Sequence, residues 1–75
     1  MTSRPAETRT LLELRHERGL SVEAVALLAE IDKGTVSRLE RGLIKARPAT
    51  VVKLAKALAI RAERMDVILN GRGEA

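Results

Sequence analysis

Positive charge is concentrated in one stretch of this chain, which points to chemistry with phosphates. Residues 33–56 contain seven Lys or Arg and a single acid, a net charge of +6. Residues 1–32 contain four basic and six acidic side chains, and residues 57–75 contain three of each. Because lysine and arginine neutralise phosphates and release their counterions, the segregated charge indicates a polyphosphate partner. A solvated charged face without a partner is the alternative, since charge runs are often no more than that.

The basic stretch starts on the second of two short helices that the apolar spacing predicts. Residues 20–42, LSVEAVALLAEIDKGTVSRLERG, carry one apolar stripe at helical spacing before Glu30 and another after it. Ala26 and Val36 lie ten residues apart, where two crossing helices would meet, and the small side chain of Ala26 permits a close approach. The second helix keeps small and basic side chains on its open face, the layout of a helix-turn-helix whose second helix enters the DNA major groove. A small helical hairpin without that function would share the apolar pattern.

Local signals mark where both helices begin and where the second one ends. Ser21 and Asp32 are suitable N-caps, because a side-chain oxygen there accepts a hydrogen bond from a free amide of the first turn. An apolar residue precedes each cap and has an apolar partner at the fourth helical position, which makes a hydrophobic staple at both starts. Gly42 is placed to end the second helix, as C-terminal glycines do.

The same signals predict five helices along the 75 residues. Their expected ranges are about 5–18, 22–29, 33–41, 48–58 and 62–69. Gly19 ends the first helix, and Pro48 suits the first turn of the fourth. The expectation is a single all-α domain over residues 1–75, ordered over about 5–70, with a frayed tail at 72–75. At this length the core is small and buries about 60% of the unfolded chain's surface.

Composition argues against several other classes of protein. There is no cysteine for a disulfide or a thiolate metal site, and no aromatic side chain for stacking on single-stranded nucleic acid. No apolar run reaches membrane-spanning length and no signal peptide is apparent, so a cytoplasmic location is expected. His16 lies on the charged side of its helix, no base accompanies Ser21 or Ser37, and the acids lack metal spacing. We therefore expect no enzyme activity, no metal, no cofactor and no small-molecule ligand.

Several short motifs resemble those of the Cro/CI-type phage-repressor domains, the large XRE-type family of five-helix DNA-binding modules. They are Leu14-Arg15, Arg18-Gly19-Leu20-Ser21, Ala26, the run 35–42 (TVSRLERG) and the run 54–58 (LAKAL). The similarity extends over about residues 8–70. It implies a compact lambda-repressor-like fold in which helices 2 and 3 form the helix-turn-helix.

The resemblance implies a role for each residue that matches the family's DNA-contacting positions. Base edges would be read by Lys33, Gly34, Ser37 and Arg38. Lysine and arginine donate to guanine O6 and N7, serine serves several bases, and a glycine lets the backbone approach closely. Phosphates would be bound by Ser21, Thr35, Arg41, Lys45 and Arg47. A structural ion pair between Arg15 and Glu40 is also implied, and it would explain the one acid in the basic stretch.

Three residues depart from the pattern of the family. Val22 replaces a glutamine that would contact a phosphate, and Arg61 replaces a serine-like cap before helix 5. Glu30 replaces the turn glycine, so we expect a positive φ at Glu30, at a cost on the order of 1 kcal/mol. The first departure removes one DNA contact, and the last one implies a strained or rearranged turn.

These expectations combine into a sequence-specific regulator of transcription, a repressor, that binds double-stranded DNA. A module of this size makes few base contacts, so a homodimer on a pseudo-palindromic operator would reach useful specificity. The alternative is an adaptor or antitoxin-like module of the same fold whose main partner is a protein. An exposed apolar patch on helix 5 or at Leu43-Ile44, without salt-sensitive DNA binding, would favour that alternative.

Overall fold

Five helices account for most of residues 10–71, the part of the chain that the computed structural model describes. They are α1 (Leu11–Glu17), α2 (Val22–Ala29), α3 (Lys33–Glu40), α4 (Pro48–Leu58) and α5 (Ala62–Asn70). No strand occurs among these residues, and the all-α fold is confirmed. The predicted ranges of α2 and α4 are matched residue for residue, while α3 ends one residue earlier and α5 one residue later than predicted.

Helix α1 is the element that the sequence predicted least well. A start near residue 5 is wrong, because Thr10 has an extended backbone (φ −99°, ψ 166°) and caps a helix that begins at Leu11. Thr10 Oγ1 accepts from the Glu13 amide at 3.1 Å, and Glu13 Oε1 accepts from the Thr10 amide at 3.0 Å. This reciprocal capping box is visible in the sequence as T-x-x-E. Residues 5–9, and the predicted frayed tail at 72–75, lie outside the described part of the chain.

Aliphatic side chains alone build the core, since the chain has no aromatic residue. The largest fully buried side chains come from all five helices and are Leu14, Val25, Val36, Leu54, Leu58 and Met65. Helix α2 packs against both α3 and α4, and α5 packs against α4. Ala26 is buried as well, as its predicted place at the crossing of α2 and α3 requires. Within residues 10–71 no polar or charged residue is fully buried, so apolar burial supplies the main stabilising term.

Two helices end on a residue other than glycine in the left-handed conformation. Glu30 has φ 60° and ψ 45°, which confirms the positive φ predicted for the turn between α2 and α3. Ala59 has φ 58° and ψ 46° in the turn between α4 and α5, which the sequence did not predict. In each turn the next residue is a partly buried isoleucine whose amide donates to a carbonyl of the preceding helix, at 3.0 Å for Ile31 and 2.8 Å for Ile60. The bond and the burial of the isoleucine offset the strain.

Replacing Glu30 with glycine should stabilise the fold modestly. A residue with a side chain costs about 1–2 kcal/mol in this conformation, while glycine loses about 0.5–1 kcal/mol more entropy on folding. The difference favours glycine, so Glu30→Gly should raise the free energy of unfolding by about 0.5–1 kcal/mol. Urea denaturation followed by circular dichroism measures this change.

Two further variants define the comparison for this turn. Lys53→Gly, in the exposed middle of α4, is the control and should lose about 1 kcal/mol, because its backbone is helical. Glu30→Val should be clearly destabilising, since a β-branched residue fits the left-handed region poorly. A loss for Glu30→Gly as large as that of the control would contradict the strain assigned to the turn.

Candidate nucleic-acid interface

Helix α3 is positioned by a cap at its start and by apolar contacts along one side. Asp32 has an extended backbone, and its Oδ2 accepts from the Thr35 amide at 3.0 Å. Val36 and Leu39 are buried in the core. Ser21 caps α2 in the same way, accepting from an amide of the first turn at 3.0 Å. Both predicted N-caps are therefore present, and together they set the direction in which each helix leaves its turn.

The four residues predicted to read bases lie on the side of α3 opposite its buried stripe. Lys33 and Arg38 are exposed, whereas Gly34 and Ser37 are half-buried. At about 100° per residue, the four positions fall within about 140° of the helix circumference. The structure therefore brings these residues to one face that the core does not use.

Gly34 makes room for the side chain of Arg38. A Cβ at position 34 would lie 2.9 Å from Asp32 Oδ2 and 3.2 Å from Arg38 Nη1. Arg38 Nη2 lies 4.0 Å from Asp32 Oδ2 and 3.5 Å from Thr35 Oγ1, so the guanidinium is drawn toward the start of α3. The resemblance implied only that Gly34 lets the backbone approach DNA closely. The structure adds that the missing side chain lets Arg38 lie against the helix.

The second basic side chain of this face is only weakly restrained. Lys33 Nζ lies 3.9 Å from Glu23 Oε2, and both side chains are 68% exposed. An exposed pair of this kind contributes about 0–1 kcal/mol, because water screens the charges. The ammonium of Lys33 can therefore exchange Glu23 for another anionic or polar partner at little cost.

Three of the five residues predicted to bind phosphates surround one surface cavity beside α3. Thr35, Lys45 and Arg47 line a cavity of about 300 Å³ between α3, the loop that follows it and the start of α4. The other two lie elsewhere, Ser21 at the start of α2 and Arg41 at the end of α3. The cavity therefore joins the flank of α3 to two cations from the loop.

Arg15 and Glu40 tie α1 to the end of α3. Arg15 Nε donates to Glu40 Oε2 at 2.5 Å and Nη2 donates to Oε1 at 3.1 Å, with side-chain exposures of 11% and 9%. Arg15 Nη1 also donates to the carbonyl oxygen of Leu20 at 3.0 Å. The hydrogen bond to Glu40 raises the pKa of Arg15 above its ordinary value, against the opposing effect of burial. The guanidinium is therefore charged at every physiological pH, and its two bonds to one carboxylate fix the geometry.

Two side chains that position these elements were not predicted. Arg18 Nε donates to the carbonyl oxygen of Leu58 at 3.0 Å, so the residue that follows α1 caps the end of α4. Asn70 bonds both backbone groups of Ala46, in the loop before α4, at 2.7 and 2.9 Å. Arg18 stood in a matched motif without an assigned role, and Asn70 lay just past the predicted end of helix 5. These bonds join residues 40 and 24 positions apart, so no local pattern identifies them.

Residues 10–71 contain neither a metal-binding cluster nor a membrane-spanning helix. No group of three or more metal-binding side chains is placed to hold an ion there. None of the helices α1 to α5 is both long enough and apolar enough to cross a membrane.

A comparison with known families assigns the chain to one of them. A family model described as a helix-turn-helix domain matches residues 8–67, which include α1 to α4 and most of α5. The chain belongs to this helix-turn-helix family, in agreement with the XRE-type resemblance of its motifs. Membership implies a DNA-binding domain of the kind found in regulators. No curated protein and no solved structure matches the chain.

Removing one partner of the ion pair should destabilise the fold strongly. Glu40→Ala leaves the Arg15 guanidinium, which is nine-tenths covered, without its carboxylate. Breaking one side of a buried pair costs about 3–5 kcal/mol, and the remaining bond to Leu20 places this site near the lower value. Thermal and urea denaturation of Glu40→Ala should therefore show a loss of about 3 kcal/mol.

Glu23→Ala is the control for this loss. It removes a carboxylate from the exposed pair with Lys33, so its free energy of unfolding should stay within about 1 kcal/mol of the parent. Denaturation curves for Glu40→Ala and Glu23→Ala that coincide would mean that the Arg15–Glu40 pair contributes no more than a surface pair.

Proposed function

We propose that the protein binds specific sites in double-stranded DNA with α3 in the major groove, and that it represses transcription there. The observation that carries this proposal is the outward face of α3, where Lys33, Gly34, Ser37 and Arg38 lie together opposite the buried stripe. A groove-binding helix needs such a face, because its side chains must reach base edges while its other side stays packed.

The residues on α3 and the residues of the cavity beside it would contact different parts of the DNA. On α3, Lys33 and Arg38 supply donors for guanine O6 and N7, and Ser37 supplies a hydroxyl that suits several bases. Beside α3, the cavity lined by Thr35, Lys45 and Arg47 offers a hydroxyl and two cations to a phosphate of the backbone. Contacts of the first kind give sequence preference, and contacts of the second kind give register and salt-dependent affinity.

The start of α2 adds a second phosphate position. Ser21 caps that helix, and the free amides of a helix's first turn, together with the helix dipole, form a natural site for a phosphate. Arg41, exposed at the end of α3, would meet a phosphate further along the strand. Val22, in contrast, brings no hydrogen-bonding group to the start of α2, so this anchor is weaker than one with glutamine.

The small number of base-reading positions on α3 supports binding as a homodimer. Four positions on one helix contact only a few base pairs, whereas two copies on a pseudo-palindromic operator double that number. A dimer that covers an operator also blocks access by other proteins, which is the simplest form of repression. A location with the DNA, in the cytoplasm, is part of this proposal.

A second candidate function is docking to a protein, as an adaptor or antitoxin-like module. The observation in its favour is the exposure of Leu43 at 61% and Ile44 at 37%, in the loop between α3 and α4. The apolar residues of α5 give it less support, because Val67, Ile68 and Leu69 are half-buried. The two candidates differ in whether the wild-type chain binds duplex DNA with a marked dependence on salt.

Selection from random duplexes at two salt concentrations, followed by binding assays on the selected site, tests the proposal. Lys33→Ala and Arg38→Ala should each lose about 1–3 kcal/mol of discrimination at one or two base positions. Lys45→Ala and Arg47→Ala should weaken binding to selected and random duplexes alike and should reduce the salt dependence.

Arg64→Ala is the matched control, since it removes an exposed positive charge on α5 away from the proposed interface. Its effect on binding should be small for both kinds of duplex. Equal losses on selected and random DNA for Lys33→Ala and Arg38→Ala would contradict base reading by α3. Wild-type protein that binds no duplex in a salt-sensitive way would support the protein-docking candidate instead.

A further inference from the structure

The side chain of Asn70 acts as a partner for the backbone of the loop between α3 and α4. Its Oδ1 accepts from the Ala46 amide at 2.7 Å, and its Nδ2 donates to the Ala46 carbonyl oxygen at 2.9 Å. Nδ2 also donates to Asp66 Oδ1, one turn earlier on α5, at 2.8 Å. Because a carboxylate only accepts, Asp66 orients the amide so that its oxygen faces the Ala46 N–H. The last turn of α5 is therefore hydrogen-bonded to the loop at Ala46.

The loop has few other bonds to hold it. Residues 44–47 donate no hydrogen bond to another backbone group in the described structure. The methyl of Ala46 is buried, at 8% exposure, and the residues on either side of it are exposed. The contacts that fix the loop thus converge on Ala46, with the Asn70 amide on its backbone and the core on its side chain.

The residues on either side of Ala46 are the two cations of the cavity beside α3. Lys45 and Arg47 line this cavity together with Thr35. Lys45 Nζ also donates to the backbone carbonyl oxygen of Asn70 at 3.3 Å, at the negative end of the α5 dipole. Fixing Ala46 therefore fixes the backbone positions from which both cations extend.

We propose that Asn70 is a positioning residue for DNA binding, which holds the loop so that Lys45 and Arg47 meet the phosphate backbone together. The assignment rests on the proposed function. Ordering a flexible loop on binding reduces affinity, because the lost conformational freedom opposes association. With Asn70 in place, the loop is ordered when the protein folds, and binding proceeds without that cost.

A double-mutant cycle on random duplex DNA tests this role. Asn70→Ala should lower affinity about tenfold, the amount that one or two lost hydrogen bonds can account for. Arg47→Ala should weaken wild-type protein clearly but Asn70→Ala protein much less, because the released loop no longer holds Arg47 in place. Arg47 shares no bond with Asn70, so this non-additivity reports the position of the loop rather than a lost contact.

Arg41→Ala is the matched control, since it removes the same charge from the end of α3, which Asn70 does not bond. Arg41→Ala should lower DNA affinity by the same factor in wild-type protein and in Asn70→Ala protein. Hydrogen exchange of the Ala46 amide in the free protein should be slow in wild type and fast in Asn70→Ala, with the amides of α3 still protected. If Asn70→Ala unfolds, Asn70→Leu keeps a side chain of similar bulk and serves in the same cycle.

The outcomes separate this assignment from the proposed function. Two results would overturn the role of Asn70 while leaving the proposed function intact. One is wild-type protein that binds DNA, with the affinity losses of Asn70→Ala and Arg47→Ala strictly additive. The other is an Ala46 amide that exchanges equally slowly in wild type and in Asn70→Ala. Wild-type protein without salt-sensitive duplex binding would overturn the proposed function and this role with it. Non-additivity for Arg47→Ala together with additivity for Arg41→Ala would establish Asn70 as a positioning residue.

Discussion

The ion pair between Arg15 and Glu40 is the interaction on which the outward face of α3 depends. Helix α3 has eight residues and buries only Val36 and Leu39 in the core. A helix of this length is marginal by itself, so its direction must be set by contacts at its two ends. One end has the Asp32 cap, and the other has Glu40 held by two bonds from Arg15. The same guanidinium also donates to the carbonyl oxygen of Leu20, just before α2. One side chain therefore fixes α1, α2 and α3 relative to one another.

Burial decides which charged residues build the fold and which remain available for a partner. The Arg15–Glu40 pair is short and about nine-tenths covered, so little of either charge is open to a ligand. Arg38 lies 4.0 Å from its carboxylate partner and is about half exposed. Exposed pairs of this length are weak, because water competes for both charges. Lys33 and Arg38, on the outward face of α3, each lie near one carboxylate without being fixed by it, as a surface that exchanges one anionic partner for another requires.

The parts of the fold that the sequence predicted are those with local causes. Helices α2 to α5 follow from apolar periodicity, and their capping residues lie next to them in the chain. The left-handed Ala59 was missed because its conformation follows from the burial of Ile60, which is a tertiary effect. The bond from Asn70 to Ala46 was missed for the same reason. Helical spacing predicts that the four positions on α3 share one face, because they lie on one short helix, while their role came from the family resemblance. The grouping of Thr35 with Lys45 and Arg47 needed the loop in three dimensions.

The wholly aliphatic core has a practical consequence for spectroscopy. With no tryptophan, tyrosine or phenylalanine, the chain is almost transparent in the near ultraviolet and has no intrinsic fluorescence. A single tryptophan introduced at an exposed site such as Leu43, in the loop between α3 and α4, would then be the only emitter in the molecule. Its emission would report the local environment of that loop without any background from the rest of the chain. Because the chain has no aromatic residue, one introduced tryptophan is enough to follow this loop by fluorescence.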